Sequence, residues 1–325
     1  MFAADSVFLE APARLHFGVL DLRGSLGRRF GGLGAAVPSP SLLLEARPGR
    51  EITARGPDAG RAREFARRFL DLHRLPGGVD LTVHRAIPAH SGLGSGTQLG
   101  LGVARVLAEL HGVPAEAPEL ALAVGRGRRS AIGTWTFALG GFIVEGGRRP
   151  EGDAIAPLLA RFEVPARWRC VIAVPPGAPG LSGDAEAAAF EQLPPPPERE
   201  VERVAHRVLM QLLPALAEGD LAGFGGALSH IQRLTGAWFA PRQGGVFAPG
   251  PGVELIEEMT AWGVPGVGQS SWGPAVYGIV EGADAGAALA TRVRERLAGR
   301  GLVFESGFSA SGARLGHGTP PDGPD

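Results

Sequence analysis

The alternation of apolar and polar residues changes period several times along the chain, and each change marks an element. In SVFLEAPARLHFGVL, residues 6–20, Leu15, Phe17 and Val19 alternate with Arg14, His16 and Gly18, which predicts a strand on each side of a bend at Pro12. GSLGRRFGGLG follows with no apolar period and reads as a glycine-rich connection. A charged segment from Ala62 to Leu72 predicts a helix, and VDLTVHRAIPA a strand. Beyond the next glycine-rich stretch, Leu99, Val103, Val106, Leu107 and Leu110 recur at helical spacing, with Arg105 and Glu109 on the opposite face. Gly112 and Pro114 stop that helix, and another is expected over Ala117 to Gly125.

In the second half, TWTFALGGFIVEGG predicts a strand pair turning at Gly140 and Gly141, and RWRCVIAVPPG a buried strand. LPPPPERE, residues 193–200, reads as a stiff polyproline-type connector. Helices are expected over Val201–Ala217, Leu221–Arg233, Val253–Trp262 and Ala285–Ala298, and a strand over Ala275–Val280. Residues 310–325, rich in Gly, Pro and Asp, are expected to be a disordered tail.

Composition then removes whole classes of function. A chain of 325 residues with 44% hydrophobic content can bury a sizeable core in one large domain or two moderate ones. The formal net charge is −1, so no global basic field exists for nucleic acid or an anionic membrane, and any anion site must be local. All 32 Lys+Arg positions are arginine. The single cysteine, Cys170, excludes a disulfide within the chain and reads as a buried thiol. There is neither a basic start followed by an apolar run nor a stretch of roughly 20 apolar residues, so the expectation is a cytoplasmic protein that binds no membrane.

The chemistry concentrates in IPAHSGLGSGTQ, residues 87–98. A strand, a glycine-rich turn and an amphipathic helix in that order make an anion site: glycines let the backbone approach, successive N–H groups converge, and the helix N-terminus adds partial positive charge. Ser91, Gly92, Leu93, Gly94, Ser95, Gly96, Thr97 and Gln98 are the candidate phosphate-binding residues, the hydroxyls of Ser95 and Thr97 also being candidate metal ligands. A plain glycine turn with Ser/Thr caps is the competing reading. No Gly-Lys-Ser/Thr follows, so this is not a Walker loop, and it is not a dinucleotide fingerprint.

PAHSGLGSGTQ resembles the phosphate loop of the GHMP small-molecule kinases, and two further segments fall in that family's order: APARLHFGVLD near the N-terminus and GVGQSSWGPAVYGIV at residues 266–280. The resemblance implies an α+β fold of two domains: residues 1–160 with a left-handed βαβ unit, and residues 161–309, ferredoxin-like. Where kinases of this family that use a catalytic aspartate carry Gly-x-x-Ser-Gly-x-Asp, this chain has Gly127-Arg128-Arg129-Ser130-Ala131-Ile132-Gly133. The carboxylate is missing, which disfavours phosphorylation of a hydroxyl.

Together with RGRRSAIGTWTFALGGFIVEGG, these segments are similar to the β-ribofuranosylaminobenzene 5'-phosphate synthases, a non-kinase branch of that superfold. That resemblance implies condensation of phosphoribosyl pyrophosphate with 4-aminobenzoate or 4-hydroxybenzoate, loss of CO2 and pyrophosphate, magnesium (Mg2+) as cofactor, a homodimer, and a place in methanopterin biosynthesis. Arg126, Arg128, Arg129 and Ser130 are then candidates for substrate anions, or else a solvated basic turn. Arg14, His16, Asp21 and His90 are candidate catalytic residues, with Asp21 also a candidate metal ligand; an ordinary surface strand and loop is the alternative. Gln269, Ser270 and Ser271 either line the cleft or form a structural turn. An ATP-dependent kinase with a displaced base and an inactive ligand-binding homologue remain rival readings.

Overall fold

The computed structural model describes residues 5–320 apart from 153 and 178–187. Its larger sheet is organised by β1 (Val7–Asp21) and β2 (Phe30–Gly49), paired antiparallel along most of their lengths. Pro12 does not divide β1 into two strands. A register shift between Pro12 and Ala13 absorbs the missing N–H as an irregularity, and the strand runs on. The glycines expected to form a connection, from Gly31 to Gly34, instead open β2. At Gly34 a Cβ would collide with Ile132 and the Leu15 carbonyl, so glycine serves close packing there rather than a turn.

β3 (Ile52–Arg55), α1 (Ala59–His73) and β4 (Gly78–Arg85) form a crossover unit whose two strands pair in parallel, while β4 also pairs with β2. β5 (Phe142–Glu145) joins β2, and β6 (Leu158–Phe162) joins β5. α2 (Ser95–His111) lies under this sheet. Its stripe Leu99, Val103, Val106, Leu107 and Leu110 is buried as the period requires, and Leu101, Ala104 and Ala108 are buried as well, because α1, α3 (Ala117–Ala123) and α4 (Ile132–Leu139) enclose it. Beyond its first turn, α2 leaves partly open its last residue, His111, and the Arg105–Glu109 pair, 3.3 Å apart.

A second, four-stranded antiparallel sheet has the order β10 (Leu302–Ser306), β7 (Trp168–Val174), β9 (Val276–Glu281), β8 (Gly266–Gln269). Helices α5 (Glu198–Arg207), α6 (Leu213–Glu218), α7 (Leu221–Gln243), α8 (Pro251–Ala261) and α9 (Ala283–Leu297) accompany it. The two sheets share one core: Phe17 of β1 stacks on Phe142 at 5.8 Å and meets the edge of Tyr277 of β9 at 5.1 Å.

Two further expectations are corrected. Ile132–Leu139 is helix α4, not the first strand of a hairpin: Thr134 and Thr136 alternate with Trp135 and Phe137 as they would in a strand, but eight residues are too few for that period to decide, and Gly140 ends the helix. The C-terminal tail is not wholly disordered, because Arg314–His317 forms β11 and pairs antiparallel with Val7–Glu10. The remainder of that expectation, residues 321–325, lies outside the described residues. No described helix is long and apolar enough to cross a membrane.

Candidate active site

The loop between β4 and α2 is held from behind by backbone contacts. Its turns use positive φ at His90 (54°), Gly92 (87°) and Gly94 (79°), the last serving as the helix N-cap. A Cβ on Gly92 would collide with the Ser270 carbonyl, and one on Gly273 with the backbone of Ser91 and Gly92, so this loop and the GVGQSSWGPAVYGIV segment interlock where only glycine fits. Arg14 donates from its backbone N–H to the Leu93 carbonyl (3.1 Å) and from Nη1 to the Gly92 carbonyl (2.6 Å); the Ser270 hydroxyl also donates to Gly92 O (2.7 Å). These bonds hold the loop's carbonyls on its rear side. The N–H groups of Ser95 and Gly96 at the start of α2 have no acceptor among the described residues, as an anion-binding helix start requires.

The loop floors a cleft of about 1060 Å³. Among the described residues, eight arginines line it against one carboxylate, Glu191. Arg61 and Arg126 converge on the first turn of α2: a Cβ placed on Gly96 would lie 2.7 Å from Arg61 Nη2 and 3.1 Å from Arg126 Nη2. Arg126 rests over the Phe65 ring at 5.1 Å, and Arg61 is held by Asp58 at 3.3 Å. A nearly neutral chain thus concentrates positive charge in one hollow, where it favours an anion with several negative groups.

The other end of the cleft is aromatic. Phe190 makes edge contacts with Phe30 (5.6 Å), Phe239 (5.7 Å) and Trp272 (5.4 Å), and Phe239 meets Trp272 at 5.0 Å. Arginines cap this wall, Arg29 over Phe30 at 5.4 Å and Arg129 over Phe190 at 5.6 Å. His16 stands between the two ends. Burial, and then the nearby Arg14, push its imidazole down to about 3, so it is neutral at physiological pH.

The structure sorts the sequence candidates. Arg14, His16, His90, Gly92, Gly94, Ser95, Gly96, Thr97, Arg126, Arg128, Arg129, Ser130, Gln269 and Ser271 line the cleft together. Asp21 does not: its Oδ1 accepts from the N–H groups of Arg23 (2.7 Å) and Gly24 (2.8 Å), which makes it a turn cap. Ser91, Leu93, Gln98 and Ser270 are buried scaffold rather than ligand contacts; Ser91 bonds the Pro88 carbonyl at 2.7 Å and Gln98 the Gly133 carbonyl at 3.0 Å. Gly133, where the family's kinases carry their aspartate, faces Thr97 so closely that a Cβ would meet its methyl at 2.9 Å.

Sequence reasoning missed Arg29, Arg61, Arg68 and Arg148, the aromatic wall, and Glu145. Arg61 stands one residue before the segment expected to form a charged helix, and the four rings come from separate segments of the chain. Glu145 closes β5, fully buried behind the cleft lining. Burial pushes its carboxyl up to about 7 against the opposing hydrogen bonds from Gly147, Ala131 and Ser130. For a metal, the described residues contain no cluster of three His, Cys, Asp or Glu side chains, and the loop offers hydroxyl oxygens from Ser95 and Thr97.

A glycine loop opening α2, fixed by a second glycine motif at the junction of two α+β units, defines the GHMP-kinase class. Residues 60–141 match the family model for the GHMP kinases N terminal domain. A homoserine kinase from Cytophaga hutchinsonii superposes with a TM-score of 0.65 over 96% of this chain and 98% of its own, at 18% identity. A mevalonate pyrophosphate decarboxylase from Streptococcus pyogenes does so with a TM-score of 0.66 over 94% and 98%, at 12% identity. Among curated sequences, the beta-ribofuranosylphenol 5'-phosphate synthase of Methanothermobacter thermautotrophicus is 38% identical over 85% of this chain and 89% of its own. Its namesake from Archaeoglobus fulgidus is 33% identical over 84% and 87%. The chain belongs to the beta-ribofuranosylphenol 5'-phosphate synthase family.

Proposed function

We propose that the protein joins the ribosyl 5-phosphate of phosphoribosyl pyrophosphate to the carboxylate-bearing ring carbon of 4-hydroxybenzoate or 4-aminobenzoate. The phenol in the relatives' name favours the hydroxy acid. The observation that carries this reading is the two-ended cleft, an arginine-lined helix N-terminus facing a wall of aromatic rings. Phosphate groups suit the first end and a charged aromatic acid the second, with Arg29 or Arg129 for its carboxylate.

As pyrophosphate leaves with the electrons of its bond, the ring carbon bonds to the cationic ribose carbon. The carboxylate then departs as CO2, and its bonding pair restores the aromatic ring. Arg61, Arg126 and the N–H groups of Ser95 and Gly96 are suited to hold the departing pyrophosphate. The donor set at the loop fits a magnesium ion that arrives with phosphates and takes only one or two protein oxygens, here from Ser95 and Thr97. Magnesium, when bound, supplies further positive charge to the leaving group.

Incubating the protein with magnesium, phosphoribosyl pyrophosphate and carboxyl-labelled 4-hydroxybenzoate tests this reading: labelled CO2 and pyrophosphate should appear in equal amounts. ADP formed from ATP and an alcohol would support a kinase instead. Binding without turnover would support an inactive homologue.

A further inference from the structure

The connection between β1 and β2, residues 22–29, is folded around one arginine of the cleft, Arg29, which is pinned along its whole length. Its backbone N–H and carbonyl exchange bonds with those of Arg148, both at 2.9 Å. Its stem lies against Gly24, where φ is 78° and an added Cβ would come within 2.6 Å of Arg29 Cγ. Its Nε donates to the Leu22 carbonyl at 2.9 Å. Asp21 shapes this seat. By accepting from the N–H groups of Arg23 (2.7 Å) and Gly24 (2.8 Å), its Oδ1 turns the chain so that the Leu22 carbonyl and Gly24 both stand beside the arginine. The cap that keeps Asp21 off the cleft thus serves a residue that lines it.

What the seat leaves unused is the far edge of the guanidinium. With Nε committed to Leu22, Nη1 and Nη2 have no acceptor among the described residues, and together they form the fork that matches a carboxylate. The guanidinium carbon sits 5.4 Å from the centroid of the Phe30 ring. Phe30 itself is held at φ 75°, a conformation that a bulky side chain keeps only where its surroundings impose it, and it contacts Phe190 of the aromatic wall. A fork fixed beside a wall of rings is what a planar, negatively charged aromatic acid requires, and the rotamer freedom that a loose arginine would lose on binding is already lost on folding. We propose that Arg29 recognises the carboxylate of the aromatic acid, and that Asp21 is a positioning residue which holds it through the Leu22–Gly24 turn. The inference rests on the functional reading above for the identity of the acid. This contact exists before reaction and is given up when CO2 departs, so it contributes to binding and orientation, and its loss falls on KM rather than kcat.

The test is calorimetry on the full chain with 4-hydroxybenzoate and its neutral amide, 4-hydroxybenzamide. Wild type should bind the acid roughly ten- to a hundred-fold more tightly than the amide, and Arg29→Gln should abolish that preference. Its affinity for phosphoribosyl pyrophosphate should stay near the wild-type value, which also shows that the variant is folded. Arg129→Gln should keep the preference. Asp21→Ala should weaken the acid several-fold, in Kd and in KM, with kcat little changed; Asp21→Asn, whose amide oxygen can cap the same turn, should restore it. A preference that survives Arg29→Gln, one that is lost in Arg129→Gln, or a parallel loss of phosphoribosyl pyrophosphate affinity overturns the assignment. Asp21→Asn as impaired as Asp21→Ala overturns the positioning role, since the charge itself would then be needed. If wild type shows the preference but forms no product, the functional reading fails and the carboxylate site stands. If it forms product and Arg29→Gln leaves the preference unchanged, the site fails and the reading stands.

Discussion

The two ends of the cleft are built by opposite strategies. At the α2 end the ligand-facing groups are largely consecutive residues, Gly92 to Thr97, whose backbone conformation is set by glycines at positive φ and fixed from behind by Arg14 and Ser270. At the far end, Phe30, Phe190, Phe239 and Trp272 arrive from segments separated by tens of residues and hold one another by edge-to-face contact. The first end is made of main chain and tolerates little substitution. The second is made of side-chain shape and can change its ligand without changing the fold.

The sharpest way to break this comparison is Gly96→Val. Its new carbons would enter the space between Arg61 and Arg126, and losing two charge-assisted contacts should cost about 3 kcal/mol, roughly a hundred-fold in Kd for phosphoribosyl pyrophosphate. Affinity for the aromatic acid alone should stay unchanged; calorimetry with each ligand separately checks both arms. Gly96 is a better probe than Gly94, whose φ of 79° makes any side chain a backbone defect as well as a steric one.

The seam between the ends predicts a pH effect. Glu145 holds its proton up to about 7 in the folded chain but only to the ordinary carboxyl value of 4.5 when unfolded. Its contribution therefore lowers stability as pH rises from 4.5 to 7, by about 1.4 kcal/mol for each pH unit crossed. Glu145→Gln removes that decline. The variant should gain on wild type across this window in urea denaturation, and a constant difference would refute the buried ionisation. His16 contributes the opposite slope, since its folded value of about 3 against 6.5 means stability lost as pH falls below 6.5, and that slope is present in both proteins.

Phe190→Ala addresses the far end. It should destabilise the protein by about 2 kcal/mol, less than a fully enclosed phenylalanine would, and raise KM for the aromatic acid several-fold while leaving KM for the phosphorylated substrate near its wild-type value. Arg128→Ala should have the smallest effect, about 1 kcal/mol or less in binding the phosphorylated substrate, because Arg128 lines the cleft without joining the pair over α2. A larger loss there than in Arg126→Ala would move the phosphate site away from the helix N-terminus.

Much of the α2 end was legible because its information is local. A strand, glycines at the turning points, hydroxyl residues and a helical apolar period all lie between Val79 and Leu110, and each has a short-range physical cause. The absence of a carboxylate at Gly133 could be seen the same way. Helix α4 was misread because Thr134 and Thr136 alternate with Trp135 and Phe137, a strand-like period in a segment too short for a helical one to compete. Asp21 joined the candidates, though it lies off the cleft lining, because a carboxylate at a strand end looks the same whether it faces a ligand or caps its own turn.

By itself, then, the sequence determined the glycine loop, the helix it opens, and the exclusion of a disulfide within the chain and of a global basic field. Only the tertiary structure decided which arginines converge, that four distant rings form one wall, and that Glu145 is buried behind the cleft lining. The reason is one of range. Backbone turns and helix starts are dictated by neighbours along the chain, whereas guanidinium clusters, aromatic walls and buried carboxylates take their chemistry from what packing brings beside them, and no spacing in the chain records that.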